Sequence, residues 1–341
     1  MRQALFKTTR ILLFLSAGIF LLVLAFRDIS LQELIEGLRS ANYLWVVLSL
    51  AFASAAFISR TYRWIMLIEP LGYNPPVKNT FYALMTGYLA NFILPRLGEL
   101  TRCGSLNRTD RIPADALLGT VITERIADLL MLLLLALAVL LIQIEFFGDF
   151  LFNSIVIPLH GKVSSTLDLS WKFYLFAGSF LVLLIILYLH LASRLRRFSL
   201  FARSEKIVRQ VIAGMISVFR MEKTGLFILH TLFIWLMYFL MTWALFMALP
   251  ATAGLGTAAV LFILVIGGFG MAAPVQAGIG AYHWIVSVGL GLYDISREEG
   301  LVFATLSHES QALLMIVLGT FSLYMVYTIS RKRKAASQPE C

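Results

Sequence analysis

The chain has 341 residues, 60% hydrophobic and only 14% charged, whereas an ordinary soluble domain carries about 25% charge; this excludes a soluble protein and indicates an all-α polytopic membrane protein. Lys and Arg number 28 against 19 Asp and Glu, a formal charge of +9; with no soluble basic domain to hold it, that excess points to cytoplasmic loops and anionic lipid and away from nucleic acid. Two cysteines, Cys103 and Cys341, offer no disulfide framework.

A helix needs about 20 apolar residues to cross a bilayer. The first candidate, residues 10–26, is slightly short and follows Arg2, Lys7 and Arg10. It resembles a signal peptide, but Arg27-Asp28-Ile29-Ser30 offers no small-residue cleavage site, so a retained first helix is expected. Residues 27–42 are polar, with Leu34, Ile35 and Leu38 spaced for a short surface helix. A second span covers 43–68. Its Arg60, Arg63 and Trp64 lie near the far end, where the arginines are expected to snorkel to the interface.

After a turn at 72–76, an apolar run from Phe81 enters Asn91-Phe92-Ile93-Leu94-Pro95-Arg96-Leu97-Gly98-Glu99-Leu100-Thr101-Arg102. Pro95 removes a backbone donor, and Gly98 is expected to permit a turn other residues resist. Broken backbone at membrane depth survives only inside protein or beside a water-filled cavity, and charge there marks a functional site. The next helix, 113–144, carries Glu124, Arg125 and Asp128 in its first half. Glu124 and Asp128 are four apart and share a face.

Residues 145–170 are expected to form a loop and 171–191 a further span. Residues 194–223 hold eight Lys and Arg against two Glu, with Ile207, Val208, Val211, Ile212, Met215 and Phe219 at helical spacing. That pattern predicts a basic amphipathic helix on the membrane surface, at about 196–222. After a span at 225–249, a second broken segment covers 255–292. It contains Gly267-Gly268-Phe269-Gly270 and then Pro274-Val275-Gln276-Ala277-Gly278-Ile279-Gly280-Ala281-Tyr282-His283. The last span, 301–329, carries His308 and Glu309 and ends in Arg331-Lys332-Arg333-Lys334.

Positive charge marks the cytoplasmic side, which puts 194–223 and the tail 331–341 inside. Counting 81–102 as a full crossing would place Arg96, Arg102, Arg108 and Arg111 outside and reverse every later span. Counting it as a re-entrant hairpin from the cytoplasm keeps the scheme consistent, and 255–292 then begins and ends outside. The expectation is one integral membrane domain, 1–330, with about six full spans and two broken segments. Each half, about 10–145 and 171–330, reads span, span, broken segment, span. The halves have opposite topology, with Pro95 paired to Pro274 and Gly98 to Gly278; Gly280 completes the second break. Inverted repeats of this kind mark transporters that bind substrate near the midplane. Both termini are expected in the cytoplasm and the protein in the cell (inner) membrane.

No phosphate loop, dinucleotide fingerprint or nucleophile set is present. His308-Glu309-Ser310-Gln311-Ala312 misses the zinc motif HExxH at its last position. No cofactor and no metal is expected. What remains is ionisable: Arg96, Glu99, Arg102, Glu124, Arg125, Asp128, His283, His308 and Glu309. Arginine suits a lipid phosphate because its planar fork donates two parallel hydrogen bonds. The carboxylates could hold the arginines, bind an amine headgroup or carry protons, and the histidines could titrate near neutral pH.

Arg63-Trp64, Leu94-Pro95-Arg96-Leu97-Gly98-Glu99-Leu100 with Arg102, and Glu124-Arg125 with Asp128 resemble the lysylphosphatidylglycerol synthase transmembrane region, or flippase-like, family. The second broken segment is similar to that family's Pro–Gly–Gly–x–Gly motif, and the resemblance runs over roughly 45–327. It implies a membrane domain that, in the multiple peptide resistance factor, moves aminoacylated phosphatidylglycerol between leaflets. Two departures stand out. Gly278-Ile279-Gly280-Ala281-Tyr282-His283 has a histidine where the family often has Gly-x-Gly-x-x-Glu. The soluble aminoacyl-transferase domain is also missing from this sequence, so a stand-alone translocator is expected, with a separate lipid-modifying enzyme as a possible partner.

The reading is a translocator of an anionic or aminoacylated phospholipid, or of a lipid-linked intermediate. Arg63, Arg96, Glu99, Arg102, Glu124, Arg125 and Asp128 would meet the headgroup from one side. Gln276, Tyr282, His283, His308 and Glu309 would meet it from the other. An integral membrane transferase acting on a lipid carrier, with Glu99, Asp128 or His283 as general base, and an ion-coupled small-molecule transporter are the alternatives.

Overall fold

The computed structural model describes residues 16, 18–27, 30–144 and 222–336. The expected span at 171–191 and nearly all of the amphipathic helix at 196–222 lie outside them. Contacts divide the chain into two compact units, Met1–Ala136 with Arg220–Cys341, and Leu137–Phe219; the account below concerns the first.

The regular elements described are all helical. Residues 18–26 form α1, followed by α2 (Leu31–Arg39), α3 (Tyr43–Ile68), α4 (Val77–Ile93), α5 (Leu97–Asp110) and α6 (Ala114–Ile142). Then come α7 (Thr224–Ala248), α8 (Thr257–Ala272), α9 (Ala281–Gly291) and α10 (Arg297–Ala336). Among the described residues, four stretches are long and apolar enough to cross a membrane: Tyr43–Leu71, Ala114–Ile142, Thr224–Ala248 and Arg297–Arg333. Of the expected surface helix, α2 is the realisation. Ser30 and Glu33 close a capping box at its start, none of its residues is buried, and it packs on α10 through Gly37 and Val302.

Both broken segments are helical hairpins. α4 and α5 have 17 and 14 residues, about 25 and 21 Å at 1.5 Å per residue, each short of the ~30 Å hydrocarbon core. They fold back on each other: Asn79 bonds Asp110 at 3.0 Å near the open end, and Asn91 Oδ1 accepts from Gly98 N at 2.8 Å near the tip. Pro95 explains the break, since the residue before a proline is pushed out of the helical region, and Leu94 is extended at φ −143°, ψ 137°. Gly98 has a different role from the one expected. The left-handed residue of the turn is Arg96, φ 63°, while Gly98 lies in the first turn of α5. A Cβ there would collide with the carbonyl oxygen of Gly87, so Gly98 is glycine because two helix backbones touch, not because the chain turns.

The second hairpin is α8–α9. Ala273, before Pro274, is extended at ψ 145°, and the connection passes through Ala277 (φ 47°), Gly278 (φ 79°) and Gly280 (φ 81°). A Cβ on Gly280 would stand 2.6 Å from Gly18 O, so α1 lies directly on this turn.

Contacts along α10 relate the two hairpins. Gly300 meets Ser287 in the outer part of α9, His308 meets Ala277 at the tip of the second hairpin, and Gly319 meets Met85 and Leu89 in α4. Arg333 hydrogen-bonds Thr109 O and stands 3.9 Å from Asp110, at the open end of the first hairpin. The hairpins therefore run in from opposite ends of α10, with their tips toward its middle.

Candidate functional site

Between the spans lies a cluster of buried charge. Arg60 and Arg63 sit on one face of α3, three residues apart, and Glu124 and Asp128 on one face of α6, four apart. Arg60 Nη2 is 2.6 Å from Glu124 Oε1 and 3.0 Å from Asp128 Oδ2. Arg63 Nη2 is 2.7 Å from Asp128 Oδ1 and 3.3 Å from Glu124 Oε1. Arg102, from α5, donates to Glu124 Oε2 at 2.8 Å and lies over the Trp64 ring at 4.7 Å. Relative exposures of 6% for Arg60 and 0% for Arg63 overturn the snorkelling expectation: two carboxylates inside the protein offer these cations more than the interface does. Three buried arginines face one buried carboxylate, Glu124, and one partly exposed, Asp128 at 17%, an excess of one positive charge. Among the described residues, Arg60 Nε, Arg63 Nε, and Arg102 Nε and Nη2 lack hydrogen-bond partners.

One member of this cluster, Arg60, forms part of the wall of a cavity of about 680 Å3. Arg60 faces it and also donates to Tyr238 Oη at 2.8 Å. From the tip of the first hairpin come Asn91, Phe92, Pro95, Arg96 and Glu99, and from α6 comes Arg125. From the second hairpin and α10 come Met271, Ala277, Gly278, Tyr282, Ser307, His308 and Gln311. Phe57, Trp235, Met241 and Met315 make much of the rest. Three arginines thus line the cavity against one carboxylate, Glu99, among the described residues. Glu99 stands 3.8 Å from Arg125, and Arg96 is exposed with its guanidinium uncommitted to any described carboxylate.

On the opposite wall, Tyr282 Oη and Ser307 Oγ are 2.8 Å apart. His308 Nε2 is 2.9 Å from Ala277 O, and its Nδ1 is 2.9 Å from Glu309 Oε1. His283 Nε2 stands 3.5 Å from the same oxygen. Where the family resemblance leads one to expect a carboxylate, His283 is met by one from another helix.

The expected site residues divide into three groups. Arg96, Glu99, Arg125, Tyr282 and His308 line the cavity. Arg63, Arg102, Glu124 and Asp128 lie behind Arg60 as its support and do not line the cavity. His283 and Glu309 do not line it but contact His308, which does, and Gln276 points toward α1, where its Oε1 is 3.4 Å from the Cβ position of Gly18. Of the breaks, Pro95 and Gly278 line the cavity; Gly98, Pro274 and Gly280 shape the backbone around it. Sequence reasoning missed Arg60, Tyr88, Asn91 and Tyr238 as wall residues. The signal for Arg60 was available, in its three-residue spacing from Arg63.

A model of the family described as the lysylphosphatidylglycerol synthase TM region matches residues 10–319. The UPF0104 membrane protein MJ1595 of Methanocaldococcus jannaschii is 30% identical over 131 residues, which is 38% of this chain and 38% of that relative's length. No solved structure matches significantly.

Proposed function

The chain belongs to the lysylphosphatidylglycerol synthase transmembrane-region family, and from that premise we propose that it translocates a lipid with an anionic headgroup across the bilayer of the cell membrane. The observation that carries this reading is the cavity wall: Arg60, Arg96 and Arg125 against Glu99, facing a largely aromatic and Met-rich surface. A phosphate-bearing headgroup suits the arginines, whose forks donate bidentate hydrogen bonds, and acyl chains suit the apolar side. Glu99 serves as a counter-ion to Arg125 and would also meet the amine of an aminoacylated headgroup. Arg63, Arg102, Glu124 and Asp128 hold Arg60 in place. The opposed hairpins, with tips at one cavity, support alternating access between halves of inverted topology, and the bias of positive charge toward the cytoplasm supports assigning the basic ends at Arg108, Arg111 and Arg331 to that side.

The test is transfer of fluorescent lipids in vesicles reconstituted with purified protein. Phosphatidylglycerol and its lysyl ester should cross faster than phosphatidylcholine. Because Arg96 is exposed and outside the buried cluster, Arg96→Ala should lower transfer about tenfold, the equivalent of one charge-assisted hydrogen bond, with thermal stability kept. Glu99→Ala should act chiefly on the lysyl lipid. Unchanged transfer in both variants would remove the cavity from the mechanism.

A further inference from the structure

We propose that His308, Glu309 and His283 form a proton-binding site that latches the tip of the second hairpin, so that release of one proton loosens the α8–α9 turn. The argument is a hydrogen-bond count. Ala277 O can only accept, so His308 Nε2, 2.9 Å away, carries a hydrogen. In a neutral imidazole the other nitrogen then presents a lone pair. That nitrogen, Nδ1, lies 2.9 Å from Glu309 Oε1, and two acceptors cannot share such a contact. One additional proton between Nδ1 and the carboxylate resolves it, whichever atom holds it. His308 as imidazolium then donates at both ends, to the turn and to Glu309. His283, with Nε2 at 3.5 Å from the same oxygen, is neutral and adds a second N–H to it, and its Nδ1 has no partner.

A proton suits this site better than a divalent metal. His283 and His308 are 2% and 5% exposed. The Glu309 side chain is 55% exposed; one imidazolium with one carboxylate is a neutral set, whereas a divalent ion would leave a net positive charge beside the two buried imidazoles. The groups packed around it add no competing charge among the described residues: Phe26 of α1 lies against His283, and Tyr282 of α9 against both histidines with its hydroxyl bound to Ser307. The charged residues lining the same cavity are Arg60, Arg96, Glu99 and Arg125.

The consequence is mechanical. When the proton passes to water in the cavity, neutral His308 has one N–H for two acceptors and must abandon either Ala277 O or Glu309. Ala277 is a non-glycine residue at φ 47°, a conformation that persists only when its surroundings hold it. The bond from His308 is one such hold, placed at the break that lines the cavity. Proton occupancy and hairpin shape are thereby linked, whatever the cavity carries.

The test uses the protein in lipid nanodiscs with 15N-labelled histidine. At pH 6, His308 should show both ring nitrogens protonated, with His308→Asn assigning the signal. In Glu309→Gln the amide can donate to Nδ1, so His308 should carry a single ring proton. Hydrogen exchange of residues 273–280, corrected for its intrinsic pH dependence, should rise about fivefold from pH 6 to 9 in the wild type, as for one lost hydrogen bond, and stay flat in Glu309→Gln. A neutral His308 throughout this range in the wild type would overturn the proposal. So would one tightly held divalent metal per chain by elemental analysis, or exchange that ignores pH.

Discussion

Arg60, Arg63 and Arg102 show how single residues change meaning once their partners are known. Each arginine alone at the end of an apolar stretch suits a snorkelling role. Set against Glu124 and Asp128 they become a closed cluster whose members depend on one another. Removing one member strands the rest: Glu124 touches all three arginines at 3.3 Å or less, so Glu124→Gln should lower stability by about 3–5 kcal/mol, the range for breaking a buried ion pair. Thermal unfolding in detergent measures this. Arg96→Ala, at an exposed site, should leave the melting temperature alone, and the contrast separates support from contact. Glu124 and Asp128 were recognisable as a pair from their spacing. Their arginine partners were not, because α3 and α6 are far apart in sequence and no local pattern says which faces meet.

For the elements, the two hairpins are the informative case. Pro95 and Pro274 announce breaks, since each forces its predecessor out of the helical region. The actual turns lie at Arg96 and at Ala277–Gly280, and the glycine at position 98 belongs to a helix crossing. Gly98→Ala should therefore push α4 and α5 apart at Gly87, costing about 1–3 kcal/mol as overpacking does, and should widen the tip where Asn91 Oδ1 accepts from Gly98 N. Melting temperature and exchange of the Gly98 amide would record both effects. A variant as stable as the wild type would mean that the helices can separate without strain. In isolation Gly87 reads as an unremarkable helical glycine and Gly98 as a turn glycine; their contact exists only after the chain has folded back.

In the molecule as a whole, α10 acts as a ruler, with the second hairpin at its start and the first at its end. In a cysteine-free background, cysteines placed at Arg108 and Arg331 should label from the same side of the membrane, and one at Ser296 from the other. Labelling of Arg108 and Arg331 from opposite faces would remove the re-entrant reading of α4–α5 and the inverted repeat with it. Charge bias made the side of Arg108 an expectation. The contacts of Arg333 with Thr109 and Asp110 put the two ends together independently of charge.

By itself the sequence determined the membrane class, the approximate limits of the long apolar helices and the two broken segments, along with the ionisable residues gathered at and behind the cavity. These follow from local physics: transfer of apolar side chains out of water, proline's missing donor and the spacing of residues on one helix. Tertiary structure decided which of those residues line the cavity. It withdrew Arg63, Arg102, Glu124 and Asp128 into the support, brought in Arg60 and Tyr238, and set Glu309 against His308 and His283. The reason is that ion pairing and cavity shape depend on which helix faces meet, and that is settled by packing between segments remote in sequence.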